Sequence, residues 1–300
     1  MADHVPVMAA EVVDALCCHD GGWYVDGTLG LGGYAKMMLE ASAPGGVVVG
    51  CDVDPDAIAI ATERLKSFGD RIKIVCGSYA TLDQYLSVLG RGAVDGICID
   101  IGVSSLQLDT EERGFGFQRE GPLDMRMDPK IPETAADLVN TADQEDLARW
   151  FWEYGEERFS RRIASTICSQ RVRKPFQTTR ELAECIVGAV PSVARRQRIH
   201  PATRSFQALR IVVNDELKNL ERFLELAPKM LNENGHVIVV SYHSLEDRLV
   251  KQSWKRWAAT GHFQILTKRP LQASEEEIEK NPRARSAKMR VLKRIGGQSL

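Results

Sequence analysis

Apolar runs alternate with helix-like segments in the first hundred residues, and this alternation constrains the fold more than any other feature. The strand-like runs are residues 23–26, 47–52, 71–76 and 94–100. The second run, VVVGCD, is apolar up to its last residue, which is typical of a strand buried on both faces. Buried strands separated by helices predict a parallel, doubly wound α/β sheet.

The alternation stops after residue 100 and resumes after residue 200. The predicted helices of the first part are residues 33–41, 55–65 and 78–89, the second with Asp54 as its N-cap and Pro55 at its first position. The middle part has predicted helices at 134–152, 158–172 and 179–190 and no strand; the last part has helices at 205–226 and 245–257 and strands at 235–241, 263–267 and 287–294. We therefore expect a sheet domain of residues 1–106 and 201–300, interrupted by a helical insertion of residues 107–200.

Composition places the chain among ordinary globular proteins, with 44% hydrophobic and 27% charged residues. It contains no apolar run long enough for a transmembrane helix, and its first residues do not resemble a signal or transit peptide. We therefore expect no membrane association and a cytoplasmic location. The seven cysteines and six histidines lack the spacing of a metal site, so we expect small buried thiols and no bound metal.

Basic charge is concentrated in two zones although the net charge is only −2. Residues 158–210 contain twelve Lys and Arg but only two acids, Glu181 and Glu184, and residues 283–294 contain six basic residues and no acid. Such zones can bind a polyanion locally. The alternative is a set of solvated helix faces.

A glycine-rich loop, DGTLGLGG at residues 26–33, follows the first strand and precedes the first predicted helix. Glycines let the backbone turn tightly and approach a ligand, and Asp52 at the end of the next strand is placed to accept from ribose hydroxyls. The third glycine of the dinucleotide motif is missing, and Asp26 would repel a pyrophosphate. Asp26 would instead suit a cationic ligand, and the Asp-x-x-x-Gly-x-Gly pattern resembles the first motif of S-adenosylmethionine-dependent methyltransferases. The alternative is a structural turn in an NAD or sugar-nucleotide protein.

More specific stretches occur along almost the whole chain. They are residues 4–8 (HVPVM), 26–33 (DGTLGLGG), 100–109 (DIGVSSLQLD), 112–115 (ERGF), 121–128 (GPLDMRMD), 200–210 (HPATRSFQALR), 243–248 (HSLEDR) and 281–287 (NPRARSA). In this order they resemble the bacterial small-subunit ribosomal RNA cytosine-N4 methyltransferases, the MraW or RsmH family. The resemblance implies a Rossmann-like class I methyltransferase sheet with an inserted all-helical domain. It also implies S-adenosylmethionine as cofactor and N4-methylation of a cytidine in 16S rRNA of the small ribosomal subunit.

The loop and the resemblance together indicate a set of cofactor-binding residues. They are Asp26, Gly30, Gly32, Gly33, Tyr34, Asp52, Tyr79, Asp100 and Gln107. The chain departs from the family at Tyr34, where His is frequent, and at Tyr79 and Tyr242, where Phe is frequent. Leu106 also replaces a frequent Pro. Each aromatic departure keeps a flat ring, so stacking or packing can survive.

Asp100 is the candidate catalytic residue, at the end of the fourth predicted strand. Cytosine N4 is a poor nucleophile, so its methylation needs a group that accepts or polarises an N–H. The Pro-Pro-aromatic turn of many amino-methyltransferases does not follow Asp100, which argues against an adenine-N6 DNA methyltransferase. Asp100 either orients the sulfonium side, accepts from N4, or does both; the alternative is a purely cofactor-positioning role.

The candidate RNA-binding residues combine aromatic rings with cations. They are Phe115, Arg171, Arg173, Arg204, Tyr242 and His243. For Phe115, Phe117 and Tyr242 core packing is the alternative to base stacking. We expect Ser244 to cap the next helix and His243 to face the pocket. A non-catalytic RNA-binding or assembly protein with a methyltransferase fold is a further alternative, and the oligomeric state, with a homodimer as one option, is not determined by the sequence.

Overall fold

The computed structural model describes residues 6–192 and 199–296, without the side chain of Ser105. They form two compact units, the first of residues up to 102 and from 217 onward, the second of residues 103–216. The second unit thus begins earlier and ends later than the insertion expected from the sequence. Residues 4 and 5 of the first motif, and Arg195, Arg196 and Arg198 of the basic zone, lie outside the described residues.

The first unit contains a seven-stranded sheet in the order β3-β2-β1-β4-β5-β7-β6. The strands are β1 (Trp23–Asp26), β2 (Val47–Asp52), β3 (Ile72–Cys76), β4 (Val94–Asp100), β5 (Leu231–Ser241), β6 (Phe263–Ile265) and β7 (Lys288–Arg294). Strands β1 to β5 pair in parallel, whereas β7 is antiparallel to both of its neighbours. The predicted α/β class with a parallel sheet is confirmed.

Helices surround this sheet and form most of the second unit. In the described residues they are α1 (Ala9–Leu16), α2 (Gly33–Ala41), α3 (Pro55–Leu65), α4 (Leu82–Val88), α5 (Ser105–Asp109), α6 (Ala135–Thr141), α7 (Gln144–Glu153), α8 (Ser160–Arg171), α9 (Thr179–Ala189), α10 (Thr203–Val213), α11 (Glu216–Leu226), α12 (Ser244–Ala259) and α13 (Glu275–Lys280). None of these helices has both the length and the apolar character of a bilayer-spanning segment.

The sheet is buried on both faces, which explains its apolar strands. Val48 and Ile238 pack in one cluster with α1, α2 and α3, whereas their neighbours Val49 and Val239 pack in another with α4, α11 and α12. Because side chains alternate between the faces of a strand, β2 and β5 each supply both clusters. Asp54 caps α3 by accepting from Asp56 N at 3.1 Å, as predicted.

The second unit has its own apolar core, built from α6 to α10 and the loop before α6. Two helices predicted as continuous are broken, and in this respect the prediction was wrong. The segment 134–152 is interrupted between α6 and α7. The segment 205–226 is interrupted after α10, where Asp215 has a φ of 52°. Asn214 explains the second break, because its side chain accepts from Met127 N at 2.7 Å and donates to Met125 O at 2.8 Å.

Candidate active site

Three aspartates end three neighbouring parallel strands. Asp26 ends β1, Asp52 ends β2 and Asp100 ends β4, and β1 lies between the other two strands. The carboxyl ends of these strands form one edge of the sheet, which is where open α/β sheets bind ligands. The topology thus brings together three of the acids predicted from the sequence.

Asp26 is completely buried and accepts hydrogen bonds from the backbone of the glycine loop and of the helix that follows it. Its Oδ1 accepts from Thr28 N at 3.3 Å and its Oδ2 from Ala35 N at 3.2 Å, so that it joins the loop to the first turn of α2. Burial raises the pKa of Asp26 to about 7, because desolvation outweighs these two bonds. Asp26 therefore positions loop backbone and carries only part of a negative charge near neutral pH.

The glycine loop places backbone N–H groups at this edge of the sheet. Gly32 is the N-cap of α2 with φ 80°, a left-handed conformation that favours glycine. Gly30 N donates to Asp52 Oδ2 at 2.7 Å. A Cβ on Gly33 would lie 2.3 Å from Pro6 Cγ, so this position has no room for a larger residue. The loop is thus held by Asp26 on one side and by Asp52 on the other.

Asp52 is half-buried and retains capacity for further hydrogen bonds. Its oxygens accept from Gly30 N and, at 3.0 Å, from Asp54 N. Burial raises its pKa, against the opposing effect of these backbone donors. A carboxylate has about four lone-pair sites, so Asp52 can also accept from two vicinal hydroxyl groups.

Asp100 is contacted by two tyrosine hydroxyls that the sequence did not connect. Tyr242 Oη donates to Asp100 Oδ1 at 2.7 Å, and Tyr34 Oη, which also donates to the carbonyl of Val7, lies 3.3 Å from Asp100 Oδ2. The backbone N of Asp100 donates to Thr28 Oγ1 at 2.7 Å. Two of the three aromatic departures from the family thus meet on one carboxylate. Sequence reasoning missed this cluster, although the added hydroxyl of Tyr242 was a visible signal.

The electrostatics of Asp100 combine opposing effects. Burial raises its pKa to about 7, and the negative charges of Glu246 and Glu277 act in the same direction. The hydrogen bonds from Tyr242 and Tyr34 lower the pKa. Part of the Asp100 side chain remains accessible. The group can therefore exchange a proton with a ligand near neutral pH.

Tyr79 lies just after β3, at the same edge of the sheet. Its ring is half-buried and meets Phe223 edge-to-face, with centroids 5.6 Å apart. A Cβ on Gly27 would lie 3.1 Å from Tyr79 Cβ and 2.6 Å from a methyl of Ile99. Tyr79 is therefore packed directly beside the start of the glycine loop, consistent with its predicted place at the cofactor site.

His243 has a different local role from the one expected. It is the N-cap of α12, with its Nδ1 accepting from Glu246 N at 3.4 Å, while Glu246 Oε2 accepts from the backbone N of Tyr242 and of His243 at 2.8 and 3.1 Å. The prediction that Ser244 caps this helix is wrong, because Ser244 is already its first residue. His243 Nε2 lies 2.9 Å from Glu246 Oε1 but is not aligned for a hydrogen bond and has no such partner in the described parts of the chain. An RNA contact by His243 stays a prediction.

In the second unit, several predicted site residues serve the unit's own structure. Gln107 completes the N-terminal cap of α5, since its Oε1 accepts from Ser104 N at 3.0 Å and its backbone N donates to Ser104 Oγ at 3.2 Å. Phe115 is 8% exposed and belongs to the apolar core. Phe117 stacks on His200 with centroids 4.6 Å apart. Core packing thus describes both phenylalanines here.

The arginines of the second unit divide into engaged and exposed groups. Arg171 Nη1 donates to Val139 O at 2.8 Å, and Arg204 Nη1 donates to Glu156 O at 3.2 Å. The exposed group has no ion pair within residues 6–192 and 199–296; its members are Arg158, Arg161, Arg162 and Arg173. Two of the four lie on α8 and the other two lie within two residues of its ends, so exposed positive charge is concentrated at this helix.

The second basic zone, residues 283–294, largely coincides with β7, which lies between β5 and β6 in the sheet. Arg290 is 5% exposed and its Nε donates to Asp247 Oδ1 at 2.7 Å, while Lys288 Nζ lies 3.7 Å from Asp247 Oδ2. Arg294 Nη1 donates to Leu231 O at 2.6 Å. Half of these six basic residues therefore stabilise β7 rather than stand free for a polyanion.

Comparison with known proteins places this site in a family. The family model described as the MraW methylase family matches residues 1–295. The protein named ribosomal RNA small subunit methyltransferase H of Geotalea uraniireducens is 48% identical, with 97% of this chain and 98% of that protein covered. Its namesakes in Geobacter sulfurreducens and Carboxydothermus hydrogenoformans are 49% and 47% identical, each over 97% of this chain and over 99% and 98% of their own lengths. This chain therefore belongs to the MraW methylase family, with the class I methyltransferase sheet that its sequence predicted.

Proposed function

We propose that this chain transfers a methyl group from S-adenosylmethionine to the exocyclic N4 of a cytidine in 16S rRNA of the small ribosomal subunit. The observation that supports this best is the convergence of Asp26, Asp52 and Asp100 around a glycine loop at one sheet edge, in a member of the MraW family. The relatives' names give the class of substrate.

The donor set of this edge fits the proposed cofactor. Asp52 has lone pairs left for the two ribose hydroxyls, and the loop from Gly30 to Gly33 offers close backbone approach. Asp100 and its acidic neighbours suit a cationic sulfonium group. When bound, S-adenosylmethionine supplies an electrophilic methyl group. Tyr34 and Tyr79 complete the proposed site, and a cofactor contact by Gln107 stays a prediction.

Asp100 is the proposed proton acceptor for the reaction. The lone pair of N4 is delocalised into the cytosine ring, so N4 becomes a competent nucleophile only as it loses a proton. The amine gains a methyl group and gives one proton to the Asp100 carboxylate, which then releases it to solvent, so charge balances. Proton acceptance of this kind contributes roughly 10²–10⁴-fold, and alignment of the two reactants contributes further.

The second unit is the proposed RNA-docking domain. The exposed arginines on and beside α8 suit phosphate contacts, which give affinity without sequence selection. A base in structured RNA must be unstacked before it can reach Asp100. Tyr242 contacts Asp100 and His243 follows Tyr242 in the chain, so these two residues are the proposed contacts for the displaced base. A ribosomal RNA substrate implies a cytoplasmic location.

Methylation of defined substrates tests this proposal. The purified full chain is incubated with methyl-labelled S-adenosylmethionine and either naked 16S rRNA or assembled small subunits, and the nucleosides are identified by mass spectrometry. We expect N4-methylcytidine from at least one of the two substrates. Methylation of another base, or RNA binding without methyl transfer, would overturn the proposal, the latter in favour of a non-catalytic RNA-binding protein.

A further inference from the structure

Two phenol hydroxyls from separate elements flank the Asp100 carboxylate. Tyr34 comes from the first turn of α2 and is 4% exposed, whereas Tyr242 follows β5. Each hydroxyl contacts a different carboxylate oxygen, at 3.3 and 2.7 Å. Since both rings are packed by their surroundings, their hydroxyls are held against Asp100 rather than free to rotate into solvent.

The two hydroxyls are not equivalent, because each has a single proton to donate. Tyr242 directs its proton to Asp100 Oδ1 at a short distance. Tyr34 has two acceptors for its one proton, the Val7 carbonyl and Asp100 Oδ2. The Val7 carbonyl can only accept a hydrogen bond, so it competes with Asp100 for the single hydroxyl proton of Tyr34. Tyr242 is therefore the stronger donor to the carboxylate, and Tyr34 the weaker.

The remaining titratable neighbours of Asp100 favour its neutral form. They are Asp26 on β1, Glu246 on α12 and Glu277 on α13. Burial raises the pKa of Cys98 on β4 well above its ordinary value, so this neighbouring thiol is uncharged and does not contribute. Burial of Asp100 itself adds to the effect of the three acids and raises its pKa to about 7. Of the groups named, only the two tyrosine hydroxyls act in the opposite direction.

We propose that Tyr242 and, to a smaller extent, Tyr34 are positioning residues that favour the ionised form of the Asp100 carboxylate and orient it to accept a proton from the substrate amine. This inference rests on the proposed function for its role in the reaction, but not for its effect on Asp100 itself. Without the hydroxyls, burial and the acidic neighbours raise the pKa of Asp100 further, so a smaller fraction of the carboxylate is ionised at neutral pH and able to accept the proton from N4.

The first test measures Asp100 directly, in the full chain without cofactor. Carboxyl ¹³C NMR of aspartate-labelled protein follows the titration, with Asp100→Asn identifying the signal. A hydrogen bond to a charged group contributes about 1.5–3 kcal/mol, so Tyr242→Phe should raise the pKa of Asp100 by about one to two units. Tyr34→Phe should raise it by less.

A matched control is Tyr85→Phe on α4, because the Tyr85 hydroxyl accepts from Thr81 Oγ1 and does not contact Asp100. This substitution should leave the Asp100 titration unchanged. A Tyr242→Phe titration that coincides with the unsubstituted chain, or a larger effect from Tyr34→Phe than from Tyr242→Phe, would overturn the inference.

The second test is the pH dependence of kcat/KM for methyl transfer. In Tyr242→Phe the acidic limb should move to higher pH by the same interval as the Asp100 titration, and the rate should recover at a pH above the new midpoint. A loss of activity that persists at every pH would indicate a merely structural role and overturn the inference. If the unsubstituted chain methylates no RNA, the proposed function fails, and the NMR titration still decides whether the hydroxyls control Asp100.

Discussion

The sheet unit and the helical unit use their predicted functional residues differently. At the sheet edge, Asp52 and Asp100 keep accessible oxygen atoms while their other bonds organise the site. In the helical unit, Gln107 caps a helix and Phe115 lies in the core, whereas Arg173 is exposed. Motif residues at strand ends are therefore better guides to a site than motif residues in a helical insertion.

The reason is geometric. The carboxyl ends of parallel strands meet at one edge whatever the loops between them contain, so a residue that ends β1, β2 or β4 is already close to the others. A residue on a helix faces solvent or core according to its position in a repeat of 3.6 residues. A sequence match alone does not show which face it occupies.

The comparison between the two units predicts the largest loss of activity for Asp100→Asn, at the sheet unit. We expect methyl transfer under saturating cofactor to fall by roughly 10²–10⁴-fold, because the amide cannot accept a proton. Cofactor affinity, measured by calorimetry, should change far less. Single-turnover assays with small subunits or 16S rRNA provide the rates.

The matched control for this substitution is Asp83→Asn, at an exposed position of α4. It should leave both turnover and cofactor affinity unchanged. Full activity of Asp100→Asn would contradict the catalytic role. An equal loss of cofactor affinity and of turnover would instead indicate that Asp100 only positions the cofactor.

The next largest effect concerns stability, through the buried Asp26. Asp26 holds its proton up to about pH 7 in the folded protein, whereas in the unfolded chain it releases the proton near the ordinary aspartate pKa of 3.8. The contribution of Asp26 to the stability of the folded state is therefore complete below about pH 3.8 and is lost as the pH rises through about 7. The shift corresponds to a change on the order of 4 kcal/mol in the free energy of unfolding.

Urea unfolding at several pH values between about 5 and 8 measures this slope. Asp26→Asn should show a shallower decline, because the amide does not ionise. It should also be less stable at low pH, since an amide has only one acceptor oxygen and cannot accept from both Thr28 N and Ala35 N. A slope as steep as that of the unsubstituted chain would mean that another buried acid, such as Asp100, dominates the pH dependence.

Local signals explain which parts of the fold were predictable. The bounds of β1, β2, β4, α2 and α3 agree with the sequence prediction, because apolar runs, glycines and the Asp54 cap are encoded within a few residues. The break after α10 was not predictable, since it depends on Asn214 bonding backbone 87 and 89 residues away. Helix α1 was missed, because its eight residues carry no capping side chain.

The same distinction applies to the candidate site. Asp52, Asp100 and the glycine loop were found because each follows a recognisable strand. The cluster of Tyr34, Asp100 and Tyr242 joins residues 66 and 142 positions apart. Only the sheet order, with β4 between β1 and β5, brings them together. The sequence also does not show which residue caps α12, because serine is as suitable an N-cap as histidine and only the backbone turn places His243 at that position.

The smallest expected effects separate the two kinds of arginine in the helical unit. Arg173→Ala removes an exposed cation and should weaken binding of 16S rRNA at all sequences alike, lowering the slope of log affinity against log salt by about 1. The free energy of unfolding should stay within about 0.5 kcal/mol. Filter binding at several salt concentrations and urea unfolding measure the two quantities.

Arg171→Ala is the matched partner in the same segment, with the opposite expected pattern. It leaves the Val139 carbonyl without its side-chain donor, so the free energy of unfolding should fall by about 1 kcal/mol. The salt slope should change less than for Arg173→Ala, because the Arg171 guanidinium is already directed at the end of α6. If both variants lose RNA affinity and salt dependence equally, a hydrogen bond to the protein's own backbone does not prevent an arginine from binding phosphate. The predicted functional residues of the two units would then differ less than their structural contacts suggest.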